Sequence, residues 1–208
     1  MKYVLISGVL LLGFVVLSFL ISSNDVIQWD TATFQKINNP HGKIFSKIMV
    51  ELTKYGREYV WIGVTGFLLV VGKESRKVGV LLVISFLILI PLGTVIKDEV
   101  NRPRPISISG DNLLPRDTDP SFPSGHAVIV SAGATILLLR FNTGKKLIFS
   151  AILGIEALLV CYSRIYVGGH YPLDVVGGIL LGTGVASAVV ASAKYLRPIF
   201  SRIDLMKR

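Results

Sequence analysis

The stretch VGVLLVISFLILIPLGTVI, residues 78–96, contains no charged side chain, and its reading decides the fold. About twenty apolar residues in a row is what a helix needs to cross a hydrocarbon layer of about 30 Å. Comparable runs occur at Tyr3 to Ile21, Tyr55 to Gly72, Ser124 to Phe141, Leu147 to Tyr162 and Asp174 to Ala193. Lipid offers no partner to backbone N–H and C=O groups, so each run must satisfy its own as a helix. Barrel strands would be about ten residues long and would alternate at every second position, and the runs do neither. The expectation is an all-α polytopic membrane protein, six transmembrane helices in one bundle, forming a single membrane-embedded domain over residues 1–208. Arg57 and Glu58, in the first turn of the second run, are expected at headgroup level. The first run follows Lys2 and is read as a retained helix, because it is long for a secretory signal and no A-x-A-like site follows it.

The composition agrees. The chain has 208 residues, 51% hydrophobic and 17% charged, with a mean hydropathy of +0.64, whereas a soluble globule carries about 25% charged residues. A single cysteine, Cys161, inside an apolar run, excludes a disulfide scaffold and a thiolate metal site. The net charge of +9 fits basic loops beside anionic lipid, or an anionic substrate, rather than nucleic acid.

Lysine and arginine set the orientation. Twelve of the 22 collect at the N-terminus, the 73–77 link, the 140–146 link and the C-terminal tail. By the positive-inside rule both termini lie in the cytoplasm and the other three loops face outward. In the first outer loop, Ile44, Phe45, Ile48, Met49 and Leu52 follow helical spacing, with Lys43, Lys47 and Lys54 at polar positions. That pattern is expected of a helix lying in the membrane interface or packed on the bundle.

Three histidines occur in the chain. His41 lies outside any motif and reads as solvated or interfacial. His126 and His170 lie at the outer ends of apolar runs, beside Lys97 to Pro105 and Ser163 to Asp174. Lys97, Arg104 and Arg164 supply cationic N–H donors matched to a phosphate. Pro103 and Pro105 stop the preceding helix, letting Arg104 turn back over the bundle. Ser124 is placed to cap a helix, and Gly125 leaves its backbone N–H unshielded, so that helix start can hold an anion. Asp174, four residues after His170, can reach the imidazole, fix its tautomer and raise its basicity. His126 is then free for acid–base work. A binuclear metal site would need more carboxylates than Asp98, Glu99 and Asp174. Arg102 adjoins this set as a surface group or as charge for a second phosphate. Glu156, in the fifth run, is either functional or a packing carboxyl.

These segments resemble the type 2 phosphatidic acid phosphatase superfamily, whose signature is K-x6-R-P, then P-S-G-H, then S-R-x5-H-x3-D. The chain has Lys97 to Arg104-Pro105, Pro123 to His126, and Ser163-Arg164 to His170 to Asp174, without departure in type or spacing. The resemblance implies His170 as nucleophile, Asp174 as its partner, His126 as general acid, and Lys97, Arg104, Ser124, Gly125 and Arg164 as phosphate ligands. No metal or other cofactor is implied. The implied activity is hydrolysis of a lipid phosphate (a polyprenyl diphosphate, phosphatidylglycerophosphate or phosphatidic acid) at the outer leaflet of a cell membrane, through a phosphohistidine. Phosphotransfer between lipids, or hydrolysis of soluble phosphate esters, would use the same residues. Vanadate-dependent haloperoxidases share the signature but are soluble, which the apolar runs argue against. A catalytically silent membrane protein would have no need of both histidines, the aspartate and three cations. Oligomeric state has no signature in the sequence.

Overall fold

The computed structural model describes residues 2–23, 26–39, 42–106, 113, 117–196, 198, 200 and 201. His41, Arg197, Arg202, Lys207 and Arg208 lie outside the described residues. Among those described, the chain is helical throughout, with no strand. The helices are α1 (Lys2–Ser22), α2 (Ile27–Ile37), α3 (Lys43–Tyr55), α4 (Trp61–Val71), α5 (Lys73–Val100), α6 (Gly125–Arg140), α7 (Gly144–Tyr166) and α8 (Pro172–Ser192). A single π-helical turn, Gly56–Val60, joins α3 to α4, and a 3₁₀ turn, Ala193–Leu196, extends α8.

Among the described residues, four segments are long and apolar enough to cross a membrane: α1, α5, α7, and α8 with its 3₁₀ extension. α6, of 16 residues, is a shorter apolar helix. The expected second span, Tyr55 to Gly72, is not one regular helix; the π turn divides it and leaves only 11 residues in α4. The apolar pattern marked the segment, but an extra residue inserted in a helical turn has no signature in hydropathy. α5 runs past Ile96, so Lys97 sits in its last turn, and Asn101 in the left-handed conformation ends it ahead of Pro103. α7 likewise runs to Tyr166, making Ser163 and Arg164 helical.

Close packing of small residues sets the centre of the bundle. A Cβ on Gly182 would stand 2.2 Å from the Val128 carbonyl oxygen, and one on Gly178 would meet the Ser124 carbonyl at 2.7 Å. Glycines four apart thus bring α8 against the backbone of α6, where lipid supplies no hydrophobic drive. On the other face of α8, Gly184 receives Leu11 of α1, and Phe14 stacks on Phe122 at 5.6 Å. Outward, Leu5, Val9, Leu12 and Phe19 of α1 and Ile148, Ile152, Ile155 and Leu158 of α7 are exposed. An apolar surface that extensive requires an apolar solvent.

The helix ends sort into two rims. Tyr3, Glu74, Lys77, Arg140 and Lys194 line one cavity, so the starts of α1 and α5 meet the ends of α6 and α8. Lys97, Gly125, Arg164 and His170 line another, where α5 and α7 end and α6 begins.

Candidate active site

The second cavity measures about 800 Å³ and has a polar head and an apolar body. Lys97, Arg104, Gly125, His126, Arg164 and His170 all line its head. Six of the eight residues expected at the site therefore meet in one space, and the two imidazoles open onto it together. The other two, Ser124 and Asp174, are fully buried directly behind. The Ser124 N–H donates to the Asp174 carbonyl oxygen at 3.0 Å, which locks the start of α6 to the start of α8.

Polar satisfaction shows what the head is built for. Ser124 takes the N-cap position of α6, but its hydroxyl makes no cap bond. Ser124 Oγ and Arg164 Nε are buried with no hydrogen-bond partner among the described residues. Buried donors are nearly always paired, so orphans beside a cationic cavity call for an anion. Gly125 contributes by absence: a Cβ there would point toward Arg57 Nη1 at 3.7 Å. Gly169 does so more strongly, because a Cβ would stand 2.8 Å from Arg164 Nη2, so only glycine lets that guanidinium lie along the 167–170 turn.

His170 is buried to 1% exposure. Arg104 Nη1 lies 3.4 Å from its Nε2, and a guanidinium can only donate, so Nε2 presents a lone pair to the cavity. Its Nδ1 faces Asp174 Oδ2 at 3.5 Å, longer than a formed hydrogen bond. The i,i+4 spacing brought the pair together as expected. Burial, and then the charges of Arg164, Arg104 and Lys97, hold the imidazole well below its ordinary pKa and therefore neutral.

Asp174 is occupied elsewhere as well. Its Oδ2 accepts from the Tyr171 N–H at 2.9 Å, and its Oδ1 accepts from Arg102 Nη1 at 2.6 Å. Arg102 also donates through Nη2 to Asp30 Oδ2 at 2.7 Å, and Asp30 Oδ1 accepts from the Leu173 N–H at 2.9 Å. The guanidinium lies 4.2 Å over the Tyr171 ring. Both readings of Arg102 made from sequence are thereby corrected. It is 5% exposed and spent on two buried carboxylates, so it is neither a surface group nor available to a phosphate. Asp30, from α2, carries no motif, and nothing in the sequence placed it here.

His126 is held differently. Its Nε2 lies 3.1 Å from the Thr53 carbonyl of α3; a carbonyl only accepts, so Nε2 carries hydrogen and Nδ1 is left to exchange a proton with a ligand. Thr53 also hydrogen-bonds Ser163 through their hydroxyls at 2.7 Å.

Two further carboxylates, from the segment before Pro120, face the cations. Asp117 lies 3.0 Å from both Arg104 and Arg164. Asp119 pairs with Lys97 and lies 2.6 Å from Arg104. Burial alone would raise the Asp119 carboxyl, but Lys97 and then Arg104 outweigh it and hold it at about 2. Glu156, by contrast, accepts from Trp61 Nε1 at 3.2 Å and ties α7 to α4, away from the cavity.

The PAP2 superfamily model matches residues 77–198, which include Lys97, Arg104, Arg164 and both imidazoles of the site. The chain belongs to the PAP2 superfamily. An undecaprenyl-diphosphatase of Sulfolobus acidocaldarius is 48% identical over 184 residues, 86% of each chain. The undecaprenyl-diphosphatase BcrC of Bacillus subtilis is 30% identical over 81% of this chain and 83% of its own. Among solved structures, the PAP2-type phosphatidylglycerolphosphate phosphatase of Bacillus subtilis superposes with a TM-score of 0.74 at 25% identity, covering 91% of this chain and 96% of its own. This PAP2 protein is a multi-pass membrane enzyme, a hydrolase of lipid phosphoric esters or diphosphates.

Proposed function

We propose that the protein removes the terminal phosphate of a polyprenyl diphosphate lipid, without a metal, through a phosphohistidine at His170. The observation that carries this reading is the pair of orphaned buried donors, Ser124 Oγ and Arg164 Nε, beside Lys97 and Arg104 at the head of an apolar groove. Below the head, Ile62, Gly66 and Leu69 of α4 face Phe86, Leu89 and Ile90 of α5. From Lys97 down to Phe86 is about 16 Å along α5, so a tail entering between these helices stays in an apolar slot. The relatives named for undecaprenyl-diphosphatase activity favour a polyprenyl diphosphate; the phosphatidylglycerolphosphate phosphatase of like fold keeps that lipid, and phosphatidic acid, as second substrates.

The roles follow from the chemistry of the groups. Neutral His170 attacks phosphorus in line through Nε2, with Asp174 behind Nδ1 to stabilise the cation that forms. Lys97, Arg104, Arg164, Ser124 and the Gly125 N–H hold the equatorial oxygens, the main source of rate in phosphoryl transfer. His126 takes a proton at Nδ1 from the incoming phosphate or from water as the substrate's negative charge arrives, gives it to the leaving oxygen, and later takes one from the water that frees phosphate.

The course of α1, α4 with its π turn, and α5 to α8 between the two rims supports six crossings. Exposed Ile44 and Ile48 of α3 then lie in the outer interface. Lys77, Arg140 and Lys194 gather at the rim opposite the site, which supports a cytoplasmic place for that rim and both termini and an outer-face site in the cell membrane.

The test is phosphate release from a prenyl diphosphate by purified protein in chelator. Activity is expected to persist, and His170→Ala to lower kcat by roughly 10⁴ or more. Because the His170 pKa is lowered, its neutral form survives as pH falls through 6.5, so the acid limb of kcat/KM is expected below that value. A metal requirement, or activity in His170→Ala, would remove the reading.

A further inference from the structure

Arg57 is the cation that the signature does not contain. It lies in the π turn, and both neighbours of that turn fix it. A Cβ on Gly56 would stand 2.3 Å from Val160 Cγ2 and 2.9 Å from Glu156 Oε1, so the turn presses directly on α7. Trp61, at its other end, is buried to 1%, packs its ring on Gly133 of α6 and donates to Glu156. A π turn shifts the helical register by one residue, and such turns persist where a side chain must be re-aimed. Here the residue re-aimed is Arg57, which lines the head of the cavity with Nη1 3.7 Å from the site of a Gly125 Cβ.

Its place within the head is specific. Its Nη1 approaches Gly125, the neighbour of His126, so Arg57 stands on the acid's side of the cavity. It is among the leading charges on His126, whereas the leading charges on His170 are Arg164, Arg104 and Lys97. It takes no part in the Asp117 and Asp119 pairs that join the other three cations; its guanidinium pairs with Glu58, whose side chain is 54% exposed. Arg57 itself is 30% exposed, at the mouth.

We propose that Arg57 is the ligand for the second, lipid-linked phosphate of a diphosphate substrate, which rests on the function proposed above. His170 Nε2 bonds to the terminal phosphorus while the bond from that phosphorus to the bridging oxygen breaks. The bridging oxygen takes the proton of His126 and departs as part of the lipid monophosphate. Water then cleaves the phosphohistidine and phosphate leaves. The departing group carries its own phosphate charge on the side where Arg57 stands, a charge that a monophosphate ester of the same lipid does not place there. Arg57 leaves Glu58 for it, exchanging an exposed ion pair for a charge-assisted bond to phosphate.

The experiment compares farnesyl diphosphate with farnesyl monophosphate, which share a tail, in detergent. Arg57→Gln is expected to lower the diphosphate-to-monophosphate ratio of kcat/KM by roughly 10², with Arg57→Lys recovering part of it. Glu58→Gln, which removes the competing carboxylate and keeps the cation, is expected to raise the ratio severalfold. It also serves as the second test should Arg57→Gln fold poorly. An unchanged ratio in Arg57→Gln, or a lowered one in Glu58→Gln, would overturn the assignment. Wild-type protein that hydrolyses the monophosphate but not the diphosphate would overturn it while leaving a lipid monophosphatase. Hydrolysis of neither would remove both.

Discussion

His170 is backed by a series of buried charges: Asp174 behind the ring, Arg102 behind Asp174, and Asp30 behind Arg102. His126 has a single backbone carbonyl, Thr53, and beyond it the half-open mouth of the groove with Arg57 and Glu58. As the proposed nucleophile, His170 must meet phosphorus in one geometry whatever the lipid, and a chain of opposite charges over-determines its ring. As the proposed acid, His126 must follow a leaving oxygen whose position depends on the substrate, and a single hydrogen bond leaves the imidazole that freedom. One side of the cavity is built for constancy, the other for accommodation.

The sharpest way to test that division is to vary the leaving group. With phosphatidic acid or a prenyl monophosphate, whose alkoxide cannot depart without a proton, His126→Ala is expected to lower kcat by roughly 10³. With p-nitrophenyl phosphate, whose phenolate departs without a proton, the loss should shrink severalfold at least. Asp174→Asn should cost the same factor with every substrate, since it acts on the nucleophile. Equal losses for His126→Ala across leaving groups would show that the ring does not protonate them.

The charge series behind His170 is the next point of attack. Arg102→Gln leaves two buried carboxylates without their shared cation, and breaking a buried pair from one side costs about 3–5 kcal/mol. The expected result is a lower Tm in detergent together with a loss of kcat of about 10² for all substrates and little change in KM. Asp30→Asn should share the pattern more weakly, as it keeps the side-chain oxygen that accepts from Leu173. A fall in stability with kcat intact would make Arg102 a structural brace alone.

The contrast also explains how far the sequence could be read. Residues 78–96 and the three motifs declare themselves because hydropathy and fixed spacing are local properties, and they located α5, the start of α6 and six cavity-lining groups. The charge series is not local. Asp30, Arg102 and Asp174 come from α2, the segment after α5 and the start of α8, and only folding makes them partners. Arg102 beside Arg104 looked like another exposed cation because sequence carries no burial. For Arg57, a regular helix from Tyr55 hides the π turn, so its place in the lining of the cavity had no signature. Asp117 and Asp119, in a polar connection, have no spacing that distinguishes them from solvated loop carboxylates.

Those two carboxylates give the smallest effect and the most direct view of how the head is kept ready. Three cations packed around an apolar-walled cavity repel one another, and Asp117, 3.0 Å from both Arg104 and Arg164, offsets part of that repulsion before substrate arrives. It is a weak partner by design of its position: its side chain is 50% exposed, whereas the arginines are 13% and 5% exposed. A phosphate brings more charge and reaches the orphaned Ser124 and Arg164 donors that Asp117 leaves unmet. It should therefore displace the carboxylate at a modest cost that appears in KM. Asp117→Asn removes the competing charge and is expected to lower KM, and the inhibition constant for inorganic phosphate, severalfold in parallel, with kcat little altered. If KM rises instead, Asp117 holds the guanidiniums in place more than it competes for them, and the head is less self-supporting than the close packing of Arg164 on Gly169 indicates.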